Sequence, residues 1–300
     1  MDPSVKTVHY LGSKVRMLSP IKRYIDELTH GNGRICDLFC GSGVVSEYLL
    51  QQYDVLAVDI QNYSKVYCEA RLLGLPKDFD YKGIIARIKE SETRRTNLIV
   101  YKPILVYEDE CRGSLLSGEL EPIYEVIEKG SLYAYLNNLP YSETDLSPSL
   151  EKAFAMVKDT GGIDLQSLDS IITRYYGGLY FSFKQAIDID AISSYAFAQN
   201  ERVKNAMLAA LMGATTDVVN TIGKQFAQPL KVRNKDGSLK KNLAKKILSD
   251  RELDVFEQFE KWMQYYVELP QNTHDFEIIC DDYMEVLKRL QPGDVEVIYA

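Results

Sequence analysis

Apolar residues recur at three- and four-residue spacing at Val15, Leu18, Ile21, Ile25 and Leu28, which predicts an amphipathic helix over 14–29. "HGNG" at 30–33 ends it. "RICDLF" at 34–39 is a short buried strand, "GSG" a turn, and 44–52 a helix whose apolar positions face back on the strand. "DVLAVDI" at 54–60 is a second strand, closing on an acidic residue.

From about residue 75 to 272 this alternation stops. The segments 184–198, 202–214 and 250–268 have the period, length and composition of helices. "FEIICDDYMEVLKRLQPGDVEVIYA" at 276–300 then resumes strand, acid, helix, turn and strand. The expected fold class is α/β: one parallel Rossmann-like sheet over 1–75 and 273–300, interrupted over 76–272 by a mostly helical insertion. An insertion of that length between strands of one sheet is predicted to be functional.

The bulk numbers narrow the setting. No run among the 300 residues reaches the roughly 18–20 apolar residues that span a bilayer, and the N-terminus lacks a basic-then-apolar secretory layout. No membrane contact and a cytoplasmic location are expected. The five cysteines are an odd number without paired metal spacing, as for free buried thiols; no metal site is expected. A net charge of −8 argues against nucleic acid coating the whole surface. It leaves room for a local basic face. The run 231–246 holds seven basic residues and one acidic one, and reads either as a solvated loop and helix or as phosphate contacts.

"DLFCGSG", Asp37 to Gly43, carries the first chemistry. Glycines after a strand let the backbone approach a ligand, and the helix start beyond them offers free N–H groups. Asp59, closing the next strand, is placed to accept from two ribose hydroxyls. Together they indicate an adenosine-containing cofactor without saying which. A dinucleotide fingerprint would have glycine at its sixth position, which here is Ser46.

"HYLGSK", "DLFCGSG" and "VDIQNYS", in that order, resemble the N-terminal half of the D12-class DNA adenine-N6 methyltransferases, S-adenosylmethionine-dependent enzymes of restriction-modification systems. The resemblance covers about 8–65 and 276–300 and is vaguer in between. It implies that the sheet is an incomplete S-adenosylmethionine-dependent methyltransferase sheet, and that the insertion is a target-recognition domain for double-stranded DNA. Residue by residue, it places Tyr10, Lys14 and Asp37 in the cofactor pocket, Phe39, Gly41 and Gly43 around the methionine end, and Asp59 on the ribose. Asp282 and Tyr283 flank the cofactor's adenine, although Asp282 reads equally as a helix cap.

The resemblance also implies an Asp/Asn/Ser-Pro-Pro-aromatic tetrapeptide that holds the target amine, and these 300 residues contain none. The strand 295–300 is expected to lie centrally in the sheet and to run into that motif after Ala300. No catalytic residue is therefore expected here; the chain is expected to be a fragment or one half of a split enzyme, inactive alone, with a second chain as possible partner. Two other readings stay open. "NLPY", Asn138 to Tyr141, resembles the catalytic motif of ribosomal RNA adenine dimethyltransferases, and the chain also reads as a DNA-binding subunit without catalysis. In the DNA reading, Lys231, Arg233, Lys240, Lys241 and Lys245 are candidate phosphate contacts, with Arg94, Arg95, Arg174 and Arg202 as weaker ones. The glycine- and aromatic-containing segments 175–191 and 215–230 either pack in the core or stack on bases.

Overall fold

The structure is a computed structural model that describes residues 14–140, 145–224, 226, 228–270 and 272–300. The chain divides into two compact units. One gathers the residues up to Tyr81 with Ala198–Gly213 and Lys261–Ala300; the other gathers Lys82–Phe197 and Ala214–Glu260.

The first unit is built on a sheet of β1 (Arg34–Asp37), β2 (Asp54–Asp59), β3 (Phe276–Cys280) and β4 (Val297–Tyr299). Its order is β3-β2-β1-β4 and all three pairings are parallel, which gives the α/β, Rossmann-like class. Parallel strands need both faces covered, so β1 and β2 are apolar on both sides. Ile35, Val55 and Ala57 pack with Leu18, Ile25, Val45, Leu49 and Leu72 on one face; Cys36, Leu56 and Val58 pack with Val286 on the other. The helix expected over 14–29 begins as a 3-10 turn at Lys14–Met17 and is α-helical over Leu18–Thr29. His30 stops it in the left-handed region, φ 52°. Among the described residues the terminal strand β4 pairs with β1 alone, which leaves the sheet incomplete on that side, as expected.

The second unit is helical. Its core joins Ile104, Ile123, Ile127, Leu150, Phe154, Phe183, Ile187 and Ile247, drawn from helices spread over more than 140 positions of sequence. The single helix expected over 250–268 is two, Ala244–Glu252 and Val255–Glu268. Leu253 is extended (ψ 127°), and Asp254 accepts the Glu257 N–H at 3.0 Å, restarting the helix with a side-chain cap. Among the described residues, no helix is long and apolar enough to cross a membrane.

Candidate cofactor site and basic hairpin

In open parallel sheets, ligands bind outside the carboxyl ends of the strands where the strand order reverses. Here the order reverses at β1, with β2 on one side and β4 on the other. Asp37 ends β1, Asp59 ends β2 and Tyr299 ends β4, so the sequence motifs converge on one edge. The chain leaving β1 is tied to both neighbours: Leu38 N–H donates to the Tyr299 carbonyl and Cys40 N–H to the Val58 carbonyl, each at 2.9 Å. The turn then comes under Asp59. Gly41 N–H donates to Asp59 Oδ2 and Gln61 N–H to Oδ1, both at 2.9 Å. The acid assigned to the ribose thus also pins the glycine turn, and each oxygen keeps lone-pair capacity for a further donor.

Asp37 is fully buried. Ser46 Oγ donates to its Oδ2 at 2.7 Å, whereas Oδ1 has no hydrogen-bond partner among the described residues. Burial pushes its carboxyl up to about 6, against the hydrogen bond from Ser46 and the positive charge of Lys14. Ser46, the residue standing where a dinucleotide fingerprint has its third glycine, therefore spends its hydroxyl on the acid at the strand end. Its role went unread in the sequence, and the departure from glycine was the available signal.

The two glycines of the turn differ. Gly43 has φ 73°, and a Cβ there would lie 2.9 Å from Cys68 Sγ and 3.2 Å from Cys68 Cα. Its small size lets the helix Asn62–Leu73 pack against the turn. Cys40 Sγ and Cys68 Sγ lie 3.3 Å apart in the same contact; that hydrogen bond, and then burial, hold the Cys40 thiol strongly protonated.

Around this edge lie the remaining candidates. Phe39 and Tyr283 are 47% and 39% exposed and their ring centroids are 5.3 Å apart, tilted by 56°. Asp282 caps the helix Tyr283–Arg289, its Oδ1 accepting Met284 N–H at 2.8 Å. Lys14 Nζ stands 4.7 Å from the centre of the Tyr299 ring, a cation-π contact across to β4 that the sequence did not suggest. Tyr10 lies outside the described residues.

The basic run forms a small hairpin and the start of a helix in the other unit. Arg233 and Leu239 pair across an antiparallel bridge, and Asn234 N–H donates to the Ser238 carbonyl at 2.8 Å. Its five candidates separate by partner. Arg233 is engaged with Glu128, at 2.9 Å, and with Glu121, and Lys240 Nζ donates to the Lys231 carbonyl at 2.8 Å. Lys231, Lys241 and Lys245 are exposed and have no ion-pair partner among the described residues. The weaker candidates are largely occupied. Arg94 pairs with Asp188, buried Arg174 donates to the Leu165, Ser167 and Ser170 carbonyls, and Arg202 donates to those of Leu73 and Gly74. Asn138 follows the helix Leu132–Leu136 in a left-handed turn, φ 51°; Tyr141 lies outside the described residues.

The sheet, its reversal point and the acid-and-glycine edge define an incomplete Rossmann-like α/β fold. Residues 10–98 match the family described as D12 class N6 adenine-specific DNA methyltransferase. Among curated proteins it is similar to modification methylase LlaI of Lactococcus lactis subsp. lactis, 37% identical over 70 residues, covering 23% of this chain and 11% of the relative. It is also similar to modification methylase StsI of Streptococcus sanguinis, 34% identical over 101 residues, covering 33% of this chain and 16% of the relative. The chain thus matches less than a fifth of the length of either relative. No solved structure matches it.

Proposed function

We propose that this chain binds S-adenosylmethionine at the carboxyl edge of its sheet and serves methyl transfer to adenine N6 in double-stranded DNA. The residues fit that cofactor. Its amino-acid end carries an ammonium and a carboxylate, and the edge offers opposite charges in Asp37 and Lys14. The observation that carries the proposal is Asp37 Oδ1, a buried carboxylate oxygen without a donor at the ligand-binding end of the sheet. A buried acceptor left unpaired costs about 1–3 kcal/mol, which a bound ammonium would relieve. Asp59 has capacity left for ribose hydroxyls, and the exposed Phe39 and Tyr283 rings offer an apolar face to adenine. When bound, the cofactor supplies an electrophilic methyl group on a sulfonium. The protein's own contribution at this edge is binding and orientation.

In this proposal residues 1–75 and 273–300 form the cofactor domain and 76–272 read DNA, with Lys231, Lys241 and Lys245 on phosphates. The family match over 10–98 supports the substrate class. Holding the target amine is assigned to none of these 300 residues, since none form the Pro-Pro tetrapeptide; that step falls to a segment or second chain that carries it. Calorimetry on the 300-residue chain is expected to give one S-adenosylmethionine site, weakened at least tenfold in Asp59→Ala and in Asp37→Asn. Methyl transfer to duplex DNA is expected only after a Pro-Pro-bearing chain is added. Absence of cofactor binding by the wild-type chain would sink the proposal.

A further inference from the structure

The helical unit carries an aromatic surface that the methyl-transfer chemistry does not use. Tyr133 stacks on Tyr175 with centroids 4.0 Å apart and an interplanar angle of 19°. Tyr175 contacts Tyr176 at 6.3 Å, Tyr176 contacts Tyr180 at 5.9 Å, and Tyr180 contacts Phe226 at 6.3 Å. Five rings therefore run in unbroken contact. They are not core: Tyr176 is 44% and Phe226 47% exposed, and the other three are partly exposed.

The backbone beneath them is held firmly. Gly178 has φ 79°, and a Cβ there would meet Gly130 Cα at 2.9 Å, so two loops touch backbone to backbone. Tyr180 N–H donates to the Tyr176 carbonyl at 3.0 Å and Gly178 N–H to the Phe181 carbonyl at 2.9 Å, folding both tyrosines onto one tight turn. Buried charges clamp the two ends of this segment. Asp190 accepts Ile172 N–H at 2.9 Å and Thr173 N–H at 2.8 Å; Glu108 accepts Phe183 N–H at 2.7 Å and pairs with buried Arg251, which also donates to the Gly178 carbonyl. Buried ion pairs add little net stability, and their best-attested use is to fix one conformation among several. Here they fix the turn that displays the rings, so little ordering remains to be done on binding.

We propose that Tyr133, Tyr175, Tyr176, Tyr180 and Phe226 form a stacking surface for unpaired bases of DNA. The proposal rests on the DNA reading above and deepens it by naming where bases are held. Enzymes that modify a base must take it out of the duplex stack, which leaves unpaired bases nearby. Aromatic rings accept any base by its π-face. The charge that suits DNA is close at hand: Lys231 follows Phe226 by five residues, a reach of at most about 18 Å, or roughly five nucleotide steps along one strand.

The test is fluorescence anisotropy with the full 300-residue chain on two labelled duplexes of one sequence, fully paired and with a central unpaired stretch, over a salt series. The wild type is expected to prefer the unpaired stretch. Tyr176→Ala and Phe226→Ala, at exposed rings, are each expected to bind it about five- to tenfold more weakly with an unchanged salt slope, while Tyr176→Phe binds normally. Equal affinity of the alanine variants and wild type, or equal binding to both duplexes, overturns the stacking surface while leaving the DNA reading intact. A wild-type chain that binds neither duplex overturns both. If size-exclusion chromatography finds self-association that Tyr176→Ala abolishes, with no change on DNA, the rings are a protein interface and the proposal fails.

Discussion

Two buried aspartates, one in each unit, stand in similar dielectric surroundings and differ in what meets them. Asp37 and Asp190 are both pushed up to about 6 by burial. Asp190 accepts three hydrogen bonds, from Ile172 N–H, Thr173 N–H and Thr173 Oγ1 at 2.9, 2.8 and 2.6 Å. Among the described residues Asp37 has one side-chain donor, Ser46 at 2.7 Å, and its Oδ1 has no partner. Burial alone therefore does not mark a binding group. Partner count separates an acid that caps a helix from an acid left open at a strand end.

The largest expected effect tests whether the helical unit depends on its buried charges. Arg251→Met leaves Glu108 buried with Phe183 N–H as its remaining donor, and is expected to destabilise the chain by about 3–5 kcal/mol. Urea denaturation followed by far-UV circular dichroism measures it. Adding Glu108→Gln should recover part of the loss, because the uncompensated charge is then gone. Breaking the exposed Arg112–Glu252 pair by Arg112→Ala is expected to cost under about 1 kcal/mol. Equal losses from Arg251→Met and Arg112→Ala would mean that burial is not what makes the first pair matter.

The same substitution is expected to cost more at Asp190 than at Asp37. Asp37 has a folded-state value of about 6 against an ordinary 3.8, so the folded protein holds that proton more tightly. The stability linked to it is fully present below about pH 4 and is lost as pH rises through 6, roughly 3 kcal/mol by pH 7. Asp37→Asn removes that loss but leaves an amide NH2 without an acceptor at a cost of about 1–3 kcal/mol, so the melting temperature at pH 7 is expected to change little while cofactor binding weakens. Cofactor affinity of the wild type should run the other way and strengthen as Asp37 ionises through pH 6. At Asp190 the amide NH2 of an asparagine would face a donor, leaving at least one group unsatisfied at a cost of about 1–3 kcal/mol. Thermal melts of both variants at pH 5 and 7 check the pair. A melting temperature lowered as much by Asp37→Asn as by Asp190→Asn would erase the distinction drawn from partner count.

What the sequence disclosed follows the range of the interactions involved. The glycine turn, the acids at the strand ends and the strand at 276–280 were legible because each rests on neighbours within a few residues. The break at Leu253 was legible too, through the Asp254-x-x-Glu257 pattern of a helix start, but the strong apolar period across 250–268 masked it. The pairing of Arg251 with Glu108, 143 positions apart, leaves no local trace. For the same reason Arg94, Arg174 and Arg202 read as spare positive charge, although the fold gives each an internal partner. The aromatic segments showed their composition, but exposure decides between core and surface, and exposure is a property of the fold.

The smallest expected effects divide the basic run itself. Lys241→Ala and Lys245→Ala remove exposed charges with no ion-pair partner among the described residues, so stability should change by less than about 0.5 kcal/mol. If they contact phosphates, each lowers the slope of log affinity against log salt by about 0.9. Arg233 is the internal control on the same hairpin. Its guanidinium is divided between Glu121 and Glu128, so Arg233→Ala is expected to cost up to about 1 kcal/mol of stability and to leave the salt slope alone. Equilibrium DNA binding at four salt concentrations, beside thermal melts, distinguishes the residues. A slope lowered by Arg233→Ala and not by the lysine variants would mean that the arginine leaves its glutamates for DNA, and that exposure in the free protein is the wrong guide to which charges meet phosphate.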